Sequence, residues 1–195
     1  MSTNPKTHVT PEEYLEFERT SEYKHEYYKG EIFAMTGASA RHNTINFNTG
    51  VTLGAQLKGT RCRGYANDQR VKIPATDLYT YPDLAIVCGE PVYEQSDTLT
   101  NPALIVEVLS PSTQDYDRGQ KFDHYRKLPS LAEYLLIAQS RCHVIHYARQ
   151  SENTWLMSEY DDLQSVITLP AINCRLPLAD VYDRVEFDEP AVSEL

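Results

Sequence analysis

Asp83 and Glu107 each sit in or beside an apolar run, and that placement gives them chemical weight. The first run reads Tyr81-Pro82-Asp83-Leu84-Ala85-Ile86-Val87, the second Ala103-Leu104-Ile105-Val106-Glu107-Val108-Leu109. Such runs read as buried strands. A buried carboxylate is strongly disfavoured unless it is paired, protonated or bound to a cation. Two on successive strands repel each other, and a divalent metal relieves the repulsion. Lys121 follows in Asp117-Arg118-Gly119-Gln120-Lys121-Phe122. Acid, acid and lysine in this order suggest metal-assisted phosphodiester hydrolysis. Two carboxylates hold a hard cation, Mg²⁺ or Mn²⁺, through oxygen. The ion polarises a phosphoryl oxygen and acidifies a bound water. The lysine stabilises the developing charge. The plainer alternative is two strand-end acids satisfied by backbone groups or salt bridges.

The elements that position these residues can be read around them. Thr10, Pro11 and Glu13 make a capping box for a first helix. His25 to Lys29 and Glu31 to Thr36 read as a hairpin turning at Lys29-Gly30. Ser39 caps a helix to about Lys58, with Phe47, Gly50, Val51, Gly54 and Ala55 on one face. The two glycines predict close approach of that face to a sheet, and Gly59 a C-cap. Strands are expected at Arg61 to Ile73, Asp83 to Val87, Leu104 to Leu109, Glu133 to Ala138 and Cys142 to Ala148. Trp155 to Tyr160 and Ser165 to Leu169 add C-terminal strands. Ser112 or Thr113 caps a helix to about Leu128, stopped by Pro129. The order predicts an α/β (α+β) chain with a mixed central sheet flanked by helices. It reads as one domain over 1–195 with a frayed acidic tail from about 188.

Longer motifs carry a family resemblance. They are Tyr81-Pro82-Asp83, Val106-Glu107-Val108-Leu109-Ser110-Pro111-Ser112-Thr113, Tyr116-Asp117-Arg118-Gly119-Gln120-Lys121-Phe122 and Tyr125-Arg126-Lys127-Leu128-Pro129-Ser130-Leu131-Ala132-Glu133-Tyr134. With Gly30-Glu31-Ile32 and Ser39-Ala40-Arg41-His42-Asn43, they resemble the bacterial Uma family of restriction-endonuclease-like proteins, within the PD-(D/E)xK nuclease superfamily. The resemblance implies a restriction-endonuclease-like core and a Mg²⁺-dependent endonuclease acting on nucleic acid, DNA rather than RNA. It implies Asp83 and Glu107 as metal ligands and Lys121 as the catalytic lysine. The usual E-x-K lysine position is Leu109 here, so the lysine would have moved into the following helix. Glu31 matches an acid of the family's N-terminal region and is a candidate outer ligand.

His42 lies in the first turn of its helix and is a candidate for contact with phosphate or Glu31; a plain surface or hydrogen-bonding histidine is the alternative, and the residues alone favour it. Arg118 is three residues from Lys121 and could share its helix face, or form a salt bridge to Asp115 or Asp117. Ser112 and Thr113 read as caps, not nucleophiles. His143 and His146 point to opposite faces of a strand and are not expected to share a metal. Two distances test the reading: Asp83 and Glu107 carboxylates within about 6 Å, and the Lys121 ammonium within about 5 Å of them.

Composition bounds the rest. The chain has 195 residues, 41% hydrophobic and 24% charged, with a net charge of −10. That is an ordinary globular balance, and the acidity speaks against a generic nucleic-acid binder. Leu109 and this charge keep a second function open, a catalytically weak or inactive nuclease-fold module that binds without cutting. No apolar run reaches a membrane span, and no secretory signal is read at the N-terminus. Cys62, Cys88, Cys142 and Cys174 are widely spaced and read as reduced cysteines of a cytoplasmic protein. Fourteen Tyr against five Phe offer amphipathic contact surface, and a homodimer is expected.

Overall fold

Thr10 opens helix α1 (Pro11–Thr20) with the expected reciprocal cap: it accepts the Glu13 N–H at 3.2 Å while Glu13 accepts the Thr10 N–H at 2.8 Å. The computed structural model describes residues 8–110 and 116–187. Strands β1 (His25–Tyr28) and β2 (Glu31–Ala34) form the hairpin. Lys29 and Gly30 both have positive φ, 47° and 88°, the two-residue turn that matches strand twist.

Ser39 caps α2 (Ala40–Leu57) by accepting the His42 N–H at 3.1 Å. The buried stripe is His42, Ile45, Thr49, Leu53 and Leu57. The expected face is reversed: Phe47 is 70% and Val51 53% exposed, and a Cβ on Gly50 or Gly54 would meet nothing within 4 Å. The helix carries two apolar stripes, and periodicity alone cannot choose between them. Ile45, Leu53 and Leu57 offer three branched aliphatic side chains to the sheet; the other stripe offers mostly small residues.

Two six-stranded sheets follow, where one central sheet was expected. The first has the order β2-β1-β5-β4-β8-β7, with β4 (Arg70–Ile73), β5 (Leu78–Thr80), β7 (Tyr93–Glu94) and β8 (Thr98–Leu99). The second has the order β12-β11-β10-β9-β6-β3. It contains β3 (Cys62–Ala66), β6 (Leu84–Cys88), β9 (Leu104–Leu109), β10 (Glu133–Ala138), β11 (Val144–Ser151) and β12 (Thr154–Tyr160). The expected strand from Arg61 to Ile73 breaks at Asn67-Asp68, where Gln69 N–H donates to the Ala66 carbonyl. That turn sends β3 and β4 into different sheets. Strands β9 and β10 are parallel, joined by a crossover containing a π-helical turn (Asp117–Lys121) and α3 (Phe122–Tyr125). The expected caps Ser112 and Thr113 lie outside the described residues. A hairpin of β13 (Val166–Leu169) and β14 (Cys174–Pro177) leads into α4 (Leu178–Val181).

The second sheet is covered on both faces, which explains its unbroken apolar runs. Leu84, Ile86, Leu104, Val106 and Val108 pack with residues of α2, α4 and the β13–β14 hairpin. Ala85, Val87, Ile105 and Leu109 pack with Val71, Ile73, Leu78, Tyr125 and Tyr134.

The cysteine expectation needs correction. Cys62 and Cys88 are direct cross-strand partners on β3 and β6 and form a disulfide; Cys142 and Cys174 are free. Strand register brings the pair together, and sequence spacing does not show register. Cysteine spacing therefore no longer speaks for a reducing compartment.

Candidate active site

Strands β6 and β9 pair as Ile86↔Leu104, Ala85↔Ile105 and Leu84↔Val106. One more step of this register sets Asp83 against Glu107, and directly opposed residues have Cβ atoms about 4.5–5.5 Å apart. The ladder ends there, just after Pro82, and the Asp83 side chain takes over its role. Asp83 Oδ2 accepts the Val108 N–H at 2.7 Å. His42 Nε2, carried by the first turn of α2, lies 3.3 Å from the same oxygen. His42 therefore meets Asp83, not Glu31, among the contacts seen.

Glu107 is buried and points to the opposite face from Val106 and Val108. Its Oε1 accepts the Tyr125 O–H at 2.7 Å and lies 2.9 Å from Lys121 Nζ. Lys121 also lies 3.3 Å from Glu26 Oε1 and 3.5 Å from Asp117 Oδ1. The expected distance between Lys121 and the acids is thus met at Glu107. Leu109, at the E-x-K position, is buried in the apolar cluster with Ile105 and Tyr134.

The π-turn explains how one crossover aims three polar groups at one point. In a regular α-helix, residues four apart are offset by about 40°, so Asp117, Lys121 and Tyr125 would fan out by about 80°. A π-turn holds roughly 4.4 residues, so its four-residue step falls short by about 33°. One step of each kind nearly cancels. The same geometry corrects Arg118. Three residues of π-turn separate it from Lys121 by about 115°. Arg118 is exposed, and its charge acts on Tyr147.

Glu26 was missed in the sequence. It sits in the polar stretch His25-Glu26-Tyr27-Tyr28-Lys29, where nothing marks it as buried. In the structure it is half-buried on β1, accepts a hydrogen bond from Thr80 and faces Lys121. Alternation along the strand was the one available signal, since Tyr27 points into the aromatic cluster of Tyr14 and Tyr79 and Glu26 must point the other way. Glu31 begins β2 opposite Tyr28. It shares the face of Glu26 but is exposed at the rim.

Glu18 was also missed. Its Oε1 accepts both the His25 N–H and the Tyr81 O–H at 2.9 Å, and Oε2 meets His25 Nδ1 at 3.0 Å. One buried carboxylate on α1 thereby ties the residue before Glu26 to the turn that carries Asp83.

Burial pushes Glu107 up to about 8, despite the opposing pull of Lys121; Asp117 and Asp83 add to the rise. Burial disfavours the Lys121 ammonium, yet Glu107, Glu26 and Asp117 together hold it protonated, well above its ordinary value. Burial likewise opposes charge on His42, but the hydrogen bond and charge of Asp83 raise its pKa.

Among the described residues, no group of three or more His, Cys, Asp or Glu is arranged to hold a metal. The two strand-end acids have the chemistry for a hydrated ion. Asp83 and Glu107 each commit one oxygen to hydrogen-bond donors, Oδ2 and Oε1. Their other oxygens make no hydrogen bond to a described residue. Two hard oxygen ligands suit Mg²⁺, which keeps several waters and takes further oxygens from substrate phosphate.

A mixed sheet with a buried lysine and acids at a strand fork defines a restriction-endonuclease-like nuclease fold. A chain described as "a putative nuclease belonging to DUF820 from Anabaena variabilis" superposes with a TM-score of 0.73 at 18% identity, over 89% of this chain and 97% of that one. The family model "Uma2: Putative restriction endonuclease" matches residues 11–179, and the chain belongs to that family. Two uncharacterized proteins of Synechocystis sp. are similar. One is 37% identical over 78% of this chain and 80% of its own length. The other is 38% identical over 77% and 86%.

Proposed function

We propose that the chain is a Mg²⁺- or Mn²⁺-dependent endonuclease that hydrolyses phosphodiester bonds in nucleic acid, DNA rather than RNA. One observation carries the reading: among the described residues, two adjacent carboxylates each have one oxygen held by protein donors and one without a hydrogen bond, beside a buried lysine. In this reading Asp83 and Glu107 would hold the ion, with Glu26 in place of Glu31 as the outer acid. The bound ion supplies Lewis acidity toward phosphate and acidifies a water. Lys121 supplies positive charge beside the attacked phosphoryl group. Tyr125 and the Val108 N–H hold the two carboxylates in place, and His42 orients Asp83. The family's restriction-endonuclease description supports DNA as substrate.

The local charge balance supports metal binding. Glu26, Glu107 and Asp117 lie around the one ammonium of Lys121, and Asp83 meets His42, so acids outnumber the lysine and a divalent ion would add positive charge there. The exposed Phe47 and Val51 stripe supports a homodimer, since α2 carries no charge from Asn43 to Leu57; light scattering at micromolar concentration tests it. No helix among the described residues is long and apolar enough to cross a membrane.

Calorimetric titration with Mn²⁺ and cleavage of plasmid and oligonucleotide DNA test the central reading. Wild type should bind and cut, and Asp83→Ala should do neither. Equal Mn²⁺ binding by the two proteins would remove the metal from the site.

A further inference from the structure

Beside the acids, a second set of groups runs along the same two elements. On β1, Tyr28 follows Glu26 on the same face, about 6.7 Å further on. Along the crossover, His124 in α3 follows Lys121 by one turn, and Lys127, in the turn just after the helix, follows His124 by three residues. The two rows touch: the rings of Tyr28 and His124 meet edge to face, with centroids 4.8 Å apart. Lys29 Nζ lies 5.2 Å from the Tyr28 ring centroid. The Lys127 N–H donates to the His124 carbonyl.

Both lysines are exposed, and neither forms an ion pair with a described residue. That is notable in a chain of net charge −10. The nearest acid on the helix, Asp123, is taken up by Arg126 at 2.9 Å. His124 is 8% exposed, and its Nδ1 has no hydrogen-bond partner among the described residues. Burial and the charges of Lys127 and Lys29 lower its pKa against the pull of Asp123, so the imidazole is neutral and the positive charge here belongs to the lysines. Glu31, across the hairpin from Tyr28, is the acid at the outer rim.

We propose that Tyr28, Lys29, His124 and Lys127 form a binding subsite for the phosphodiester backbone of a nucleic-acid strand. It lies about one nucleotide from the phosphate that Lys121 would face. The subsite rests on the nuclease reading and deepens it. The lysines neutralise a phosphate, and the Tyr28–His124 wall offers an aromatic surface to the attached nucleoside. This local positive charge lets an acidic protein engage a polyanion beside its own carboxylates.

The test is anisotropy of a labelled single-stranded DNA oligonucleotide, with Ca²⁺ replacing Mg²⁺ to prevent turnover, over a salt series. The proteins are wild type, Lys29→Ala/Lys127→Ala and Lys58→Ala, an exposed lysine at the far end of α2. Each backbone contact contributes about 0.7 to the slope of log affinity against log salt for a single strand. The double variant should lose about 1.4 from that slope. Its affinity deficit should then shrink about sevenfold between about 50 and 200 mM salt. Lys58→Ala should keep the wild-type slope. A double variant with the wild-type slope overturns the subsite alone. A wild type that binds Mn²⁺ but no oligonucleotide overturns both the subsite and the nucleic-acid reading.

Discussion

Lys121 and Glu107 meet at 2.9 Å although they come from different elements, a helix and the strand before it. The lysine also lies within 3.5 Å of Glu26 and Asp117. It is therefore both the charge that makes the metal-free site tolerable and the group best placed to stabilise phosphoryl transfer.

Lys121→Ala should lower cleavage by roughly 10²–10³-fold, as for loss of one transition-state donor. It should also destabilise the metal-free protein by about 3–5 kcal/mol, because buried acids lose their partner. Mg²⁺ should restore part of that stability. Denaturant melts with and without Mg²⁺, beside single-turnover cleavage, check both effects. Unchanged cleavage would remove Lys121 from the chemistry.

Metal-free stability should fall as pH rises toward about 8. The folded pKa of Glu107 lies above its ordinary value of 4.5, so its contribution is complete below about 4.5 and is lost as pH rises through about 8. His42 has the same sign, because its folded pKa is also raised; its contribution is lost as pH rises through that folded value. A cation replaces the Glu107 proton, so stabilisation by Mg²⁺ should grow over the same window. Thermal melts at about pH 6 and pH 9, with and without Mg²⁺, read this directly; a pH-independent metal effect contradicts it.

Tyr125→Phe should act through Glu107. Losing the 2.7 Å hydrogen bond removes a charge-assisted interaction of about 1.5–3 kcal/mol. It also leaves Glu107 a stronger base. The midpoint pH for Mn²⁺ binding should move upward by calorimetry, with the fold retained by circular dichroism.

Glu18→Ala should destabilise the protein by about 3 kcal/mol, since His25 and Tyr81 lose buried acceptors. It should also weaken Mn²⁺ binding in the folded fraction, because the Glu26 strand and the Asp83 turn lose their common tie. Glu18→Gln keeps an acceptor and should recover most of both. Full Mn²⁺ affinity in the alanine variant would confine Glu18 to a structural role.

Thiol counting checks the disulfide. Unfolded without reductant, the chain should expose two reactive thiols, from Cys142 and Cys174, and four after reduction. Reduction should cost about 3.5 kcal/mol of stability by the loop-closure relation for a separation of 26 residues.

The legible parts of the fold were those coded locally. Thr10 and Ser39 announce their helices because a cap is a contact within a few residues. Strands β9 and β10 were readable because a strand covered on both faces is apolar throughout. The fork acids stood out against those runs. The less legible parts depend on partners distant in sequence. Glu26 looks like a surface residue until β5 and the crossover helix enclose it. The buried face of α2 is chosen by the sheet, not by the helix. Cys62 finds Cys88 only through strand register. The π-turn has no local code in Asp117-Arg118-Gly119-Gln120-Lys121 and follows from what its side chains must reach.

That π-turn holds one residue more than a regular turn, and its consequence is evolutionary. Deleting one residue within it would return the segment to α-helix: three α steps replace four π steps, and everything after the cut turns by only about 27°. A cut after Lys121, in α3, would instead swing Tyr125 by about 100° and leave the lysine on Glu107. Insertion and deletion thus become a means of variation here, separate from substitution. Descendants could vary the group beside Glu107 by one-residue changes in length while β9 kept its apolar sequence intact.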